Sequence, residues 1–341
     1  IERKAVVVNT SVDLSGKIPL GSVIVEVDGI PVDRYLRERV FPYMSASTQH
    51  YLWRQSIRGQ AWRNVGLLIG EVDSIVEIGI ETPGGEARQI SLRRLTKRGA
   101  IEWVQPLRRE SPMLTFKRLD GDILYFALNT FNDETIVTQF EAHIDDLESA
   151  RAVVLDIRNN QGGNSLNGWY IGRYFSDTPL EVSHWKTRTH TAAFKAWGRF
   201  SKDPERQAHA AMDAWYEPSE FSSIDPPERT FVLPVAVLTG SSTYSAAEDF
   251  LSFMRAAPNC FFVGGPSAGS TGQPLAFEIP GGAWVGITSK RDSMPDGTEF
   301  VGYGVMPDIE VSQSLVAYRE GRDPVLERAV EALEERLRQI P

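Results

Sequence analysis

The residues best equipped for chemistry lie in Thr243-Tyr-Ser-Ala-Ala-Glu-Asp-Phe250, between the apolar run 232–238 and Phe261-Phe-Val-Gly264. That order reads as strand, turn, helix, strand. Gly240 and three small hydroxyl residues break the first run, and Ala246, Phe250, Phe253 and Met254 then recur at helical spacing until Pro258. The pattern predicts Ser245 at a helix N-terminus, where unpaired N–H groups and the helix dipole stabilise an oxyanion. A plainer role stays open, in which Ser242, Thr243 or Ser245 only caps the helix. A second stretch, Arg158-Asn-Asn-Gln-Gly-Gly163, follows the buried run 152–157. Its glycine pair lets backbone amides approach a ligand closely, or simply turns the chain. Paired with Ser245 on another strand-to-helix turn, Gly162, Gly163 and the Ala246 amide become candidate oxyanion donors.

Other titratable residues are scattered. His184, His190 and His209 lack the spacing of metal ligands on one helix, so no metal site is expected. His184 and His190 are the two that could approach the nucleophile as a base. Lys290 reads as a solvated strand residue.

The elements that must position these groups change character along the chain. Up to residue 95, short strand runs such as 5–8 and 23–27 surround Asp28-Gly29, a strong hairpin signal. The alternating residues Val76, Ile78 and Ile80 turn at Pro83-Gly-Gly85 and return through Ile90 and Leu92. Residues 41–73, with Tyr43, Tyr51, Trp53 and Trp62, read as a lid or, better, a satellite hydrophobic core. From Gly121 strands alternate with helices, beginning with a βαβ unit over 123–157. Residues 176–229, rich in aromatics and with a helix started by Asp203-Pro204, read as a cap over the site. An amphipathic helix from Asp323 closes the core through Val325, Leu326, Val330, Leu333 and Leu337.

Composition narrows the classes. A chain of 341 residues favours two modules, and a net charge of −9 without basic clusters argues against nucleic-acid or anionic-membrane partners. One cysteine, Cys260, forms no intramolecular disulfide and reads as a small buried hydrophobe. No stretch has the apolar length of a membrane span, and no signal peptide opens the chain. Without an initiator Met, the chain is expected to be a processed or excised piece.

The run Ser245-Ala-Ala-Glu248 resembles the nucleophile motif of the C-terminal processing (tail-specific) serine peptidases. Leu155-Asp-Ile-Arg-Asn-Asn-Gln-Gly-Gly163, Gly264-Gly-Pro-Ser-Ala-Gly-Ser-Thr-Gly272, Pro295-Asp-Gly297 and Gly304-Val-Met-Pro-Asp-Ile309 match in the family's order. The likeness covers roughly residues 121–311, and the run from Gly21 to Val32 resembles the family's PDZ-like module. It implies an α/β fold: a PDZ-like β-rich module over 1–100 with an inserted segment 41–73, then a crotonase/Clp-protease-like ββα spiral core over 101–341 with a helical cap insertion at 176–229. It further implies a serine endopeptidase acting through an acyl-enzyme on Ser245, with polypeptide substrates selected by their C-termini, no cofactor and an extracytoplasmic location. The Ser/Lys branch of the family carries its lysine where this chain has Ser270. The loop Ser-Thr-Gly-Gln-Pro resembles the tricorn-like Ser/His branch, whose histidine precedes the PDZ-like module. The base is therefore expected upstream of Ile1. Glu299 falls near that branch's late assisting acid but out of register. The rival is a non-catalytic binding protein on the same scaffold, as in interphotoreceptor retinoid-binding protein, which resembles this core and carries a lipophilic ligand. A crotonase-type acyl-CoA enzyme is the third reading.

Overall fold

A computed structural model describes residues 1–60, 65–95, 101–105 and 112–339; Trp62 lies outside them. Strands β1 (Ala5–Val6), β2 (Val23–Val27), β3 (Ile30–Pro31), β4 (Ile75–Glu81) and β5 (Ala87–Arg93) form an antiparallel sheet in the order β1-β2-β4-β5, with β3 on β2. Asp28 and Gly29 turn β2 into β3 with φ of 50° and 71°, the left-handed pair that matches strand twist. Helices α1 (Val32–Tyr35) and α2 (Gln49–Arg58) lie between β3 and β4. Val27, Leu36, Val40, Trp53, Ile78 and Ile80 share this module's core. The segment 41–73 therefore does not bury its aromatics in a separate satellite. Trp53 joins the main core, edge-on to Phe41 at 5.8 Å, and Tyr51 faces the second half of the chain. Residues just past 100 bond back to the start of the chain. The Val12 amide donates to the Glu102 carbonyl at 2.8 Å, and that of Val104 to Thr10 at 3.0 Å.

The second half contains β6 (Leu114–Leu119), β7 (Ile123–Leu128), α3 (Thr135–Glu141), α4 (Ile144–Glu148), β8 (Ala152–Asp156) and α5 (Ser165–Gly172). The expected cap follows as β9 (Leu180–Glu181), β10 (His184–Arg188), α6 (Ala192–Gly198), α7 (Pro204–Ala210), β11 (Trp215–Tyr216) and β12 (Ser223–Ile224). It is mixed rather than helical, because β9 pairs with β12 while β10 pairs with β11 and with a later strand. Next come β13 (Val235–Thr239), α8 (Ala246–Met254), β14 (Cys260–Gly264), β15 (Pro274–Ile279), β16 (Ala283–Thr288), β17 (Arg291–Ser293), β18 (Ile309–Glu310), α9 (Leu315–Arg319) and α10 (Pro324–Leu337). The main sheet runs β18-β14-β13-β8-β7-β6, parallel throughout except for β6 against β7.

Every residue of β8 and β13 is buried, as a parallel sheet covered on both faces requires. One face carries α5 and α8, packed through Phe250, Phe253 and Met254; the other carries α10 through Val325, Ala329 and Leu333. Gly168 and Gly172, four apart and so on one face of α5, admit α8 closely: a Cβ at Gly168 would sit 3.2 Å from the Phe250 ring. The neighbours β8, β13 and β14 point the same way. Their following loops, 157–164, 240–245 and 265–273, therefore open at one edge of the sheet, where parallel sheets bind ligands.

A partly buried ion-pair network ties that edge to the C-terminal helix. Arg158 Nη2 lies 2.6 Å from Asp156 Oδ2 and 2.8 Å from Asp323 Oδ2, while Asp323 Oδ1 caps α10 by accepting from the Leu326 amide. Burial opposes the Arg158 charge, but the bonds to Asp156 and Asp323 outweigh it and raise its pKa. Arg158→Met takes the countercharge from the buried Asp156 carboxylate and leaves it only the Tyr125 hydroxyl and the backbone amide of residue 158 as donors, so it should lower unfolding free energy by about 1–3 kcal/mol. Urea denaturation measures this, and an unchanged midpoint would refute it.

Candidate active site

Ser245 is placed by the turn from β13 into α8. Its φ of 57° and ψ of −127° are a strained conformation for a residue with a side chain, of the kind that lifts a nucleophile above a strand-to-helix turn. The turn is held by other groups. Thr243 Oγ1 donates to the Ile157 carbonyl at 3.0 Å and accepts from the Gly240 amide at 3.1 Å. The Glu248 amide donates to the Ser245 carbonyl oxygen at 2.7 Å, and Ser245 and Glu248 also form a capping box across the first turn of α8. Ser245 itself is half-buried.

Beneath it, the Glu248 side chain is wholly buried and surrounded by donors. Ser267 Oγ donates to Oε1 at 2.5 Å and the Gly269 amide at 2.7 Å; the Ser270 amide donates to Oε2 at 2.8 Å and the Ser245 amide at 3.3 Å. Burial pushes this carboxyl up to about 7, against the pull of those donors. The Ser245 amide also faces the Ser270 carbonyl at 3.2 Å. Ser270 is thus brought to Ser245 through its backbone.

The glycine pair takes two different positions. Gly162 lies against Ser245: a Cβ there would sit 2.8 Å from both Ser245 Cβ and the Ala246 nitrogen. Its own N–H donates to Asn160 Oδ1 at 2.8 Å. Gly163, with φ of 135°, backs onto the Phe131–Asn132 peptide, where a side chain would collide with backbone. Ala246 is the first residue of α8, so its N–H has no intrahelical acceptor.

The other predicted residues lie elsewhere in the described contacts. His184 stacks on Phe221 at 3.8 Å beside Glu181, and His190 is exposed beyond β10. Glu299 pairs with Lys186 and Arg291 at the surface. Lys290 is not the solvated residue its strand pattern predicts, because its Nζ meets the fully buried Asp292. Asp292 also accepts from Thr271 Oγ1 at 3.1 Å, and nearby Asp249 accepts from Ser165 at 2.5 Å and Ser183 at 3.4 Å. Burial, and then the Asp292 charge, push Asp249 up to about 6. This second carboxylate group links α8, α5, the cap and the 265–273 loop. Among the described residues, no three His, Cys, Asp or Glu side chains gather as metal ligands.

The N-terminal module contributes contacts that no local pattern announces. Thr48 Oγ1 donates to the Ala268 carbonyl at 2.9 Å, and His50 Nε2 reaches the Ser267 carbonyl at 2.6 Å. A carbonyl only accepts, so the His50 proton is assigned to Nε2. Tyr51 stacks on Tyr244, the residue before Ser245, with centroids 5.4 Å apart. Helix α2 thereby clamps both sides of the Ser245 turn.

Two measurements follow from this geometry. Glu248 and Asp249 titrate above their ordinary values, so the folded chain binds more protons than the unfolded chain from about pH 4 to 7. Stability should therefore fall as pH rises through that window, by about 1.4 kcal/mol per pH unit for each extra proton held, with a shallower slope in Glu248→Gln. A urea midpoint that rises from pH 5 to 7.5 would overturn the assignment. Removing the clamp in Thr48→Val/His50→Leu loses two hydrogen bonds of about 1 kcal/mol each, so the Gly269 and Ser270 amides should exchange with solvent about ten-fold or more faster. Unchanged exchange there would show that α2 does not restrain the loop.

Similarity to known proteins falls on the same elements. The chain is 26% identical over 250 residues to carboxyl-terminal-processing peptidase 2, chloroplastic, of Arabidopsis thaliana, a match over 73% of this chain and 42% of that protein's length. The fold is similar to that of mature CPAF, with a TM-score of 0.64 at 16% identity over 94% of this chain and 76% of that one. The profile of peptidase family S41 matches residues 122–311, from the start of β7 to just past β18 and across all three site loops. The chain belongs to peptidase family S41.

Proposed function

We propose that this chain carries the catalytic core of a serine endopeptidase with Ser245 as nucleophile. The observation that carries the reading is the strained Ser245 turn at the start of α8, lying against Gly162 and braced by a buried carboxylate. In this reading the Ser245 hydroxyl attacks a peptide carbonyl carbon and forms an acyl-enzyme. The Ala246 amide and the Gly162–Gly163 segment receive the oxyanion, with Gly163 supplying the N–H because that of Gly162 is engaged by Asn160. Glu248 acts through backbone, holding Ser245 and the 267–270 loop in register. A serine hydroxyl needs a base to react at neutral pH, and we assign that role to an imidazole, as in the Ser/His branch of the family. Lys290 is a poor alternative, since its ammonium is paired with Asp292.

The N-terminal sheet serves in this proposal as a PDZ-like reader of C-termini, and the second half as a crotonase-like spiral. An open groove of about 730 Å³ beside β5, lined by Leu14, Lys17, Arg88 and Ile90, offers the positive charge of Lys17 to a terminal carboxylate, the Arg88 guanidinium being paired with Glu86. The likeness to a relative described as chloroplastic supports the expected periplasmic or otherwise extracytoplasmic location.

A fluorophosphonate probe should label the wild-type chain and not Ser245→Ala, because the covalent bond forms at the hydroxyl oxygen that the substitution removes. Equal labelling of the two would reject catalysis and favour the non-catalytic binding scaffold. Single His50→Ala, His184→Ala and His190→Ala changes, read by the same probe, identify the base if one of these imidazoles supplies it.

A further inference from the structure

Strands β15 and β16 form a ribbon that pairs with no other strand among the described residues. Its register sets Leu275 opposite Ile287, Phe277 opposite Val285 and Ile279 opposite Ala283. Directly opposed residues share a face, so these six apolar side chains make one continuous surface. Leu275, Phe277, Ile279 and Ile287 are 40–62% exposed. The opposite face differs: Trp284 folds along its own strand, its ring 3.1 Å from where a Cβ on Gly286 would lie. Both faces are open to solvent, Trp284 itself being 59% exposed, but only the Leu275–Phe277–Ile287 face is apolar throughout, beside open backbone edges.

The base of the ribbon is fixed to the active site. The Ser289 and Lys290 amides donate to the Gly272 carbonyl at 3.0 and 3.2 Å, and Ser289 Oγ donates to Gln273. Ser270 binds both Glu248 and Ser245 through its backbone, and Pro274 follows four residues later. Even fully extended, that connection spans at most about 14 Å.

Three occupants can be weighed. Six residues per strand give a face about 20 Å long and about 10 Å wide, on the order of 200 Å². A stable dimer buries about 800 Å² on each partner, so a second copy is not held by this face alone. A membrane surface is disfavoured because the ribbon's only charged residue is Glu278 and the chain carries a net charge of −9. A single extended polypeptide strand fits in length, in backbone pairing and in the period of its side chains.

We propose that the ribbon is a docking rail for an extended polypeptide segment, which adds as a strand to its free edge and places apolar side chains at every second position over Leu275, Phe277 and Ile287. This rests on the reading that Ser245 cleaves polypeptides. The rail holds the chain to be cut in extended form and feeds it toward the nucleophile. It would select for the alternating apolar pattern of a β-strand, a second criterion beside any selection by a free C-terminus.

The test uses the full chain carrying Ser245→Ala, so that bound peptide is not consumed. Two fluorescent ten-residue peptides of identical composition are compared by anisotropy, one with valine at alternate positions and one with its valines contiguous. The alternating peptide should bind about ten-fold or more tighter, and Phe277→Glu/Ile287→Glu should abolish that preference while Phe277→Leu retains it. Equal binding of the two peptides, or a preference that survives the double glutamate change, overturns the proposal. So does a double variant that turns a dimer into a monomer in sedimentation, or that loses binding to phosphatidylcholine vesicles, since the occupant would then be a second copy or a bilayer. Fluorophosphonate labelling of the wild type separates the two readings. Labelling at Ser245 without a peptide preference rejects the rail alone, and absence of labelling rejects the active site while the anisotropy result stands.

Discussion

A buried carboxylate that meets only donors is the constraint on which the site depends. Glu248 accepts from one hydroxyl and three backbone amides drawn from the start of α8 and the 267–270 loop. Ser267 completes the arrangement by accepting from the Val305 amide at 2.6 Å while donating to Glu248. Withdrawing any segment leaves a donor or the carboxylate unsatisfied in a dry interior, at a cost of roughly 1–3 kcal/mol per group. That penalty is comparable with the strain of a positive φ at a non-glycine residue, so the network is strong enough to keep Ser245 in a conformation it would otherwise leave.

The sheet supplies the coarser constraint. Because β8, β13 and β14 are adjacent and parallel, the glycine pair, the serine and the Glu248-binding loop arrive at one edge without long connections. Gly168 and Gly172 then let α8 sit close enough to α5 that Gly162 can touch the Ser245 turn. Packing on the buried side of the sheet thus sets spacing on the reactive side.

Much of this was legible in the residues. The strand-turn-helix order around Ser245, the βαβ unit ending at Gly162, the Asp28-Gly29 hairpin and the C-terminal helix follow from local periodicity and turn chemistry, which act over a few residues. What periodicity could not show are contacts across long separations. Thr48 and His50 meet Ala268 and Ser267 from more than two hundred residues away, and nothing in Ser-Thr-Gln-His distinguishes a clamp from an ordinary helix start. Lys290 looked like a solvated strand residue because its neighbours alternate; only tertiary pairing brings it to buried Asp292. The strands within residues 176–229 resisted prediction for a related reason, since strands of two residues leave too short a pattern to read.

The same long separations impose an order on assembly. Ser245 emerges from synthesis well before Ser267, Gly269, Ser270 and Val305, and α2 must by then be folded to receive the loop. Contacts so distant along a chain form late and slowly, because the entropy of closing the intervening loops must be met first. A nascent or partly unfolded chain therefore exposes its serine in an unbraced turn that lacks both the buried carboxylate and the α2 clamp. Under the proposed reading, the chemical competence of Ser245 belongs to the completed fold and not to the nascent chain.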